Sequence, residues 1–205
     1  MMSAQRFLTV GHSTHEGETF VGLLRTHGVT AVADVRSAPF SRFTPHFNQR
    51  SLERGLARSE IRYVFLGKEL GARSADMGCY LDGKVQYAKL AATAEFASGI
   101  ERLQEGASRE RIAIMCTEGE PLDCHRTILV SRVLIEAGAT VDHIHANGDL
   151  ESHTDAMTRL MGKFDLAEED LFRTRAERLS EALRRQEERI AYVDEHLKPV
   201  EGNEP

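Results

Sequence analysis

Over its first 160 residues the chain alternates short apolar runs with amphipathic stretches of helical period. The run Phe7 to Gly11 reads as a buried strand. Ser13 with Glu16 three residues later has the form of a capping box, and Phe20, Leu23, Leu24 and His27 then share a helical face that Gly28 stops. Thr30 to Arg36 predicts a second strand, Phe47 to Ser59 a short helix with Asn48 as cap, and Ile61 to Leu66 a third strand. From Leu70 to Lys84 the sequence is glycine-rich and irregular, as in a surface loop. Ala91 to Leu103 is helical, with Phe96, Ile100 and Leu103 on one side. Arg111 to Cys116 is a fourth strand whose unbroken apolar run implies burial on both faces. Pro121 opens a helix carrying Ile128, Leu129, Val133 and Leu134, stopped by Gly138, and Thr140 to Ala146 is a fifth strand.

Strand and helix in repeated alternation predict an α/β fold: a three-layer, Rossmann-like open sheet, mostly parallel, of about five strands. The pattern changes after Lys163. Phe172, Ala176, Leu179, Leu183, Gln186, Ile190, Val193 and Leu197 repeat at intervals of four and three with charges between them. This predicts a long C-terminal amphipathic helix of about 30 residues, patterned like a short coiled coil. It packs either on its own domain or against a second copy as a homodimer contact. The expected organisation is an α/β domain over residues 1–163, a helical extension over 164–198 and a disordered tail over 199–205.

Composition narrows the function classes. Of the formal charge of −6, residues 164–205 hold 7 Lys/Arg against 12 Asp/Glu, which leaves 19 against 20 for the rest. A near-neutral domain binds a polyanion only through a local basic patch. One exists: Arg36, Arg42, Arg50, Arg54, Arg58 and Arg62 stand against two glutamates, with Phe40, Phe43 and Phe47 among the first three. Arg50, Arg54 and Arg58 are spaced as the solvated face of a helix, and the phenylalanines fit core packing. Three cysteines, no apolar leader and no apolar run long enough for a membrane span point to a cytoplasmic protein with free thiols and no membrane partner.

Chemistry-bearing residues gather just after the predicted strands, where ligands bind in open parallel sheets. The first strand delivers His12 and Ser13, the second Arg36 and then Arg42, the fourth Cys116 and Glu118, and the fifth His143 and His145. Cys116 lies where a strand meets a turn before a helix, a place that lowers a thiol pKa and cradles an anion. Glu118 suits acid–base work, and Arg126 reaches either an anion or Glu118. Cys124, eight residues after Cys116, does not make the C-x-x-C spacing of a redox dithiol or zinc knuckle, and a helix interior readily buries it. A cysteine phosphatase would carry arginine at the position of Leu122. Asn147 and Asp149 look like the turn and cap that open the next helix.

The segments TVGHS, ADVRSAPFSRFTPHF, LGKELGAR, MCTEGEPLDCHR and VDHIHANGDL, in that order from about Leu8 to Leu160, resemble the domain-of-unknown-function family DUF488. The resemblance implies an α/β domain, enzymatic from its polar motifs, and carries no reaction and no cofactor.

Three functions fit these residues. The first is an enzyme acting on an anionic substrate, phosphate-bearing or derived from nucleotide or nucleic acid. Cys116 is then the nucleophile, Glu118 and His12 its acid–base partners, and Arg36, Arg42, Arg126 and Ser13 the substrate contacts. The second is a metal-dependent enzyme with Cys116, Cys124 and His125 as ligands, joined by His12 or His145. The third is a non-catalytic nucleotide or nucleic-acid binding module in which the thiols only pack.

Overall fold

A computed structural model describes residues 4–169 and 171–198; the tail expected over 199–205 lies outside them. Strand β1 (Arg6–Gly11) leads to helix α1 (Gly17–Thr26), and β2 (Ala31–Asp34) to α2 (Gln49–Ala57). After β3 (Arg62–Phe65) come α3 (Gly67–Leu70), a hairpin of β4 (Tyr80–Leu81) and β5 (Lys84–Val85), and helices α4 (Tyr87–Ala91) and α5 (Ala94–Ala107). The chain continues through β6 (Ile112–Cys116), α6 (Arg132–Glu136), β7 (Thr140–Ile144), β8 (Leu150–Ser152), α7 (His153–Lys163) and α8 (Arg175–Ile190).

The main sheet has six strands in the order β3-β2-β6-β1-β7-β8, and all neighbours are parallel except β7 and β8. Its fold class is the α/β class expected. The order departs from the dinucleotide-binding arrangement, which sets the first two strands side by side; here β6 lies between β2 and β1. All five β6 residues are buried. Alternate side chains serve opposite faces. Ile112, Ile114 and Cys116 join a core with Phe96, Leu103, Leu134 and Leu160, whereas Ala113 and Met115 join one with Phe20, Leu24, Leu52 and Leu56. Helices therefore cover both sides and make three layers.

Local departures from expectation have physical causes. Ser13 does not cap α1. It takes a positive φ of 46°, and its N–H pairs with the Thr117 carbonyl, so the segment stays docked to β6 and the helix starts at Gly17. Asn48 does precede α2, but its Oδ1 accepts from the Ser41 N–H at 2.6 Å instead of capping the helix. Asn147–Asp149 form the expected turn, which leads into β8; Ser152 is the cap of α7. The stretch read as a surface loop contains a 3-10 turn at Met77–Cys79 and most of the β4–β5 hairpin.

The C-terminal helix is 16 residues long, not about 30. Thr174 and Glu177 form a capping box that fixes its start. At Ala191 the backbone becomes extended, and Tyr192 and Asp194 pair with Val85 and Gly83 of the hairpin. The helix packs on its own domain. Ala182 and Gln186 are buried, and Gln186 Nε2 donates to the Leu122 carbonyl at 2.8 Å. No helix among the described residues is long and apolar enough to cross a membrane.

Candidate functional site

The end of β6 holds the densest chemistry. After Cys116 the chain turns through Thr117–Glu120 and enters a short 3-10 turn at Pro121–Asp123, so the predicted helix does not run on from the proline. Cys124 is extended (φ −136°, ψ 140°) and breaks it. A wide π-helical stretch, Arg126–Ser131, follows before α6, and such bulges recur at functional sites. Cys124 therefore lies ahead of the helix rather than inside it. Its carbonyl accepts from the N–H groups of Thr127 and Ile128, and its thiol is free to face Cys116.

Four donor atoms meet there. The Glu118 Oε2 lies 3.2 Å from Cys116 Sγ and 3.1 Å from Cys124 Sγ, while His125 Nδ1 lies 3.8 Å and 3.9 Å from the same sulfurs. The two sulfurs and the imidazole nitrogen all fall within 4.8 Å of one another. Tetrahedral zinc bonds of 2.0–2.3 Å set sulfur about 3.6 Å from a neighbouring nitrogen or oxygen. His125 Nε2 lies 3.2 Å from the Val35 carbonyl, which only accepts. Nε2 thus carries a hydrogen, and in the neutral imidazole the Nδ1 lone pair faces the thiols, as a metal-binding histidine requires.

The electrostatics of the cluster are lopsided. The Cys116 thiol is pushed well up, because it donates to Cys124 and is buried beside that sulfur and Glu118. Burial opposes ionisation of Cys124 too, but the Cys116 donor, Arg126 and His125 outweigh it and hold that thiol well down. Burial and then Cys124 raise the Glu118 carboxyl. Burial would lower His125, yet the bond to Cys124 and the nearby negative charges raise it. Three acidic groups thus crowd one point beside a single imidazole. The nucleophilic thiol expected at Cys116 is the harder of the pair to ionise.

The other expected contacts are placed differently. Arg36 is buried and committed: Nε and Nη2 reach both Asp34 oxygens at 2.9 and 2.6 Å, Nη2 also donates to the Phe47 carbonyl, and Nη1 contacts His12 Nε2 at 3.1 Å. Tyr63 adds its hydroxyl to Asp34 at 2.7 Å. The expected anion seat is therefore an internal ion pair. His12 is buried, stacks on Phe47, and has its pKa lowered to about 4 by burial and then by Arg36. Arg126 is wholly buried, and Nη1 and Nη2 donate to the Glu118 and Gly119 carbonyls. It braces the turn. Gly11 completes that brace, because a Cβ there would collide with the Glu118 carbonyl.

Arg42 is exposed and lies over the Phe43 ring. Phe47 is core, but Phe40 and Phe43 are 74% and 83% exposed, against the packing expected of them. Arg50, Arg54 and Arg58 form the solvated face of α2 as read. His143 is buried between Thr9 and His153, and His145 pairs with Glu151, so neither approaches the cluster.

A cavity of about 220 Å³ opens beside the thiols. Cys116, Glu118, Cys124, His125 and Arg36 line it, but not His12, Ser13, Arg42 or Arg126. Its other walls were not singled out from sequence: Tyr87 from α4, Arg73 from the loop after α3, and Ile190 and Tyr192 from the C-terminal segment. Burial and the nearby Cys124 push the Tyr87 phenol well up, so it stays a neutral donor. The motif segment LGKELGAR, which contains Arg73, was the available signal.

Among comparisons with known proteins, the family model described as Domain of unknown function DUF488 matches residues 16–133. Neither a curated protein nor a solved structure matches the chain.

Proposed function

The chain belongs to the DUF488 family, a domain of unknown function, and we propose that it is a metal-dependent enzyme of hydrolytic type, with Cys116, Cys124 and His125 as ligands and Glu118 as proton carrier. The observation that carries this reading is the convergence of two sulfurs and an imidazole nitrogen, with the tautomer set by Val35 and Glu118 against both sulfurs. Thiolate and imidazole donors at this spacing suit Zn²⁺ best.

The alternative of a bare thiol nucleophile is weaker. Two buried sulfurs and a carboxyl in contact compete for the same protons, and a dication removes that conflict outright. Arg126 and Arg36 then acquire a common role. Their buried positive charges favour ionised sulfur, Arg126 at both thiols and Arg36 beside Cys116.

A bound Zn²⁺ would polarise a carbonyl and bring the pKa of its water down to about 7. Glu118 would serve as the proton carrier, accepting a proton from the attacking water and returning it to the leaving group as the old bond breaks. Burial and the neighbouring Cys124 raise its pKa above the ordinary carboxylate value, the direction that favours giving the proton back. Tyr87, neutral and facing the cavity, can donate to the oxyanion.

Metal analysis of untagged protein from zinc-replete cells tests the reading. One equivalent of metal is expected in the wild type and in Glu118→Gln, and little in Cys124→Ser or His125→Ala. Retention in Glu118→Gln with loss of esterase or amidase turnover assigns the carboxyl to proton transfer. Loss of metal from Glu118→Gln makes it a fourth ligand in a closed structural site. A wild type that binds no divalent metal ends the proposal.

A further inference from the structure

The cavity contains two arginines, and they are not equivalent. Arg36 is saturated by Asp34, Phe47 and His12. Arg73 is exposed at the mouth, its guanidinium 4.4 Å from the Tyr192 ring centroid, and among the described residues no carboxylate pairs with it. The nearby Asp123 is taken by Lys163 and Gln186, each at 2.8 Å. Stacking on an aromatic face orients a guanidinium and leaves its N–H edges for a planar oxyanion. The Arg73 backbone is fixed as well, its N–H donating to Ser37 Oγ at 3.0 Å.

We propose that Arg73, held against Tyr192, is the seat for an oxyanion of the substrate, a carboxylate or phosphate on a small molecule whose electrophilic carbon points inward to the Cys116–Cys124–His125 cluster. This rests on the metal-dependent reading of the same cavity and adds the class of substrate. At about 220 Å³ the cavity is smaller than the roughly 300–1,000 Å³ of sites for drug-sized ligands, which favours a short, anion-tagged metabolite. Arg73 is a binding residue, not a catalytic one.

The test is calorimetric titration of the zinc-loaded protein with inorganic phosphate and, separately, with propionate, with metal content measured on the same samples. At least one anion binds the wild type, and Arg73→Ala weakens it by about tenfold or more with metal unchanged. Arg73→Lys restores part of the loss, and Arg42→Ala, outside the cavity, leaves affinity unchanged. Which of the two anions binds tells a phosphate seat from a carboxylate seat. Equal binding by wild type and Arg73→Ala, or no binding of either anion, overturns the proposal. If the protein takes no metal yet anion binding still needs Arg73, the seat stands and the metal reading alone falls.

Discussion

Strands β2 and β6 are neighbours, yet their ends treat charge in opposite ways. At the end of β2, Asp34 and Arg36 neutralise each other, with Tyr63 and the Phe47 carbonyl taking the remaining donors and acceptors. At the end of β6, Cys116, Cys124 and Glu118 aim acidic groups at one another beside a single imidazole. Buried polar groups normally find complementary partners. The first cluster obeys that rule with a closed ion pair, whereas in the second two thiols share one carboxylate oxygen, an arrangement that the proposed cation would relieve. The contrast is what favours the β6 end over the β2 end in the proposed function, although both are rich in reactive residue types.

The comparison can be broken most severely at its closed half. Asp34→Ala leaves the Arg36 guanidinium buried without its partner, and a loss of about 3–5 kcal/mol in urea unfolding is expected; an unchanged midpoint would mean that water replaces the carboxylate. The open half is expected to respond to metal instead. Free Zn²⁺ at a hundred times its dissociation constant should stabilise the wild type by about 2.7 kcal/mol and Cys124→Ser hardly at all, read from thermal midpoints with and without chelator.

Gly11→Ala tests the seam between the halves. The new methyl displaces the Glu118 carbonyl that Arg126 braces, at about 1–3 kcal/mol. Metal content should drop with it, whereas an overpacked but intact site would keep its metal.

Acid sharpens the contrast further. His12 titrates at about 4 in the folded protein, below its ordinary 6.5, so protons favour the unfolded chain. Its contribution is complete above pH 6.5 and is lost as the pH falls towards 4, on the order of 1.4 kcal/mol per unit. Denaturation curves at pH 7.5 and 5.5 should show that loss, and His12→Gln should flatten it. The smallest effect belongs to Arg42→Ala, expected within about 0.5 kcal/mol of wild type because the side chain is exposed.

Much of this was legible beforehand, for identifiable reasons. Five strands of the sheet announced themselves as apolar runs. The sixth did not, since Leu150-Glu151-Ser152 is short, mostly polar and at an edge. The spacing from Phe172 to Leu197 overstated α8, because apolar periodicity carries through a helix end that Thr174 and the hairpin pairing of Tyr192 impose. Cys116, Glu118, Cys124 and His125 fall within ten residues, so local spacing could gather them. Whether Arg36 and Arg126 faced a ligand depended on Asp34 and on two backbone carbonyls, which spacing does not reveal. Arg73, Tyr87 and Tyr192 reach the cavity only through tertiary closure.

That closure has a consequence of its own. The matched family region ends at residue 133, but Ile190 and Tyr192, which wall the cavity, come from a segment beyond it. The donor set and its roof thus come from different stretches of the chain, one inside the matched region and one outside it. A chain with the same floor and another tail would present the same donor atoms under a different ceiling, and selectivity could diverge without any change at Cys116, Cys124 or His125.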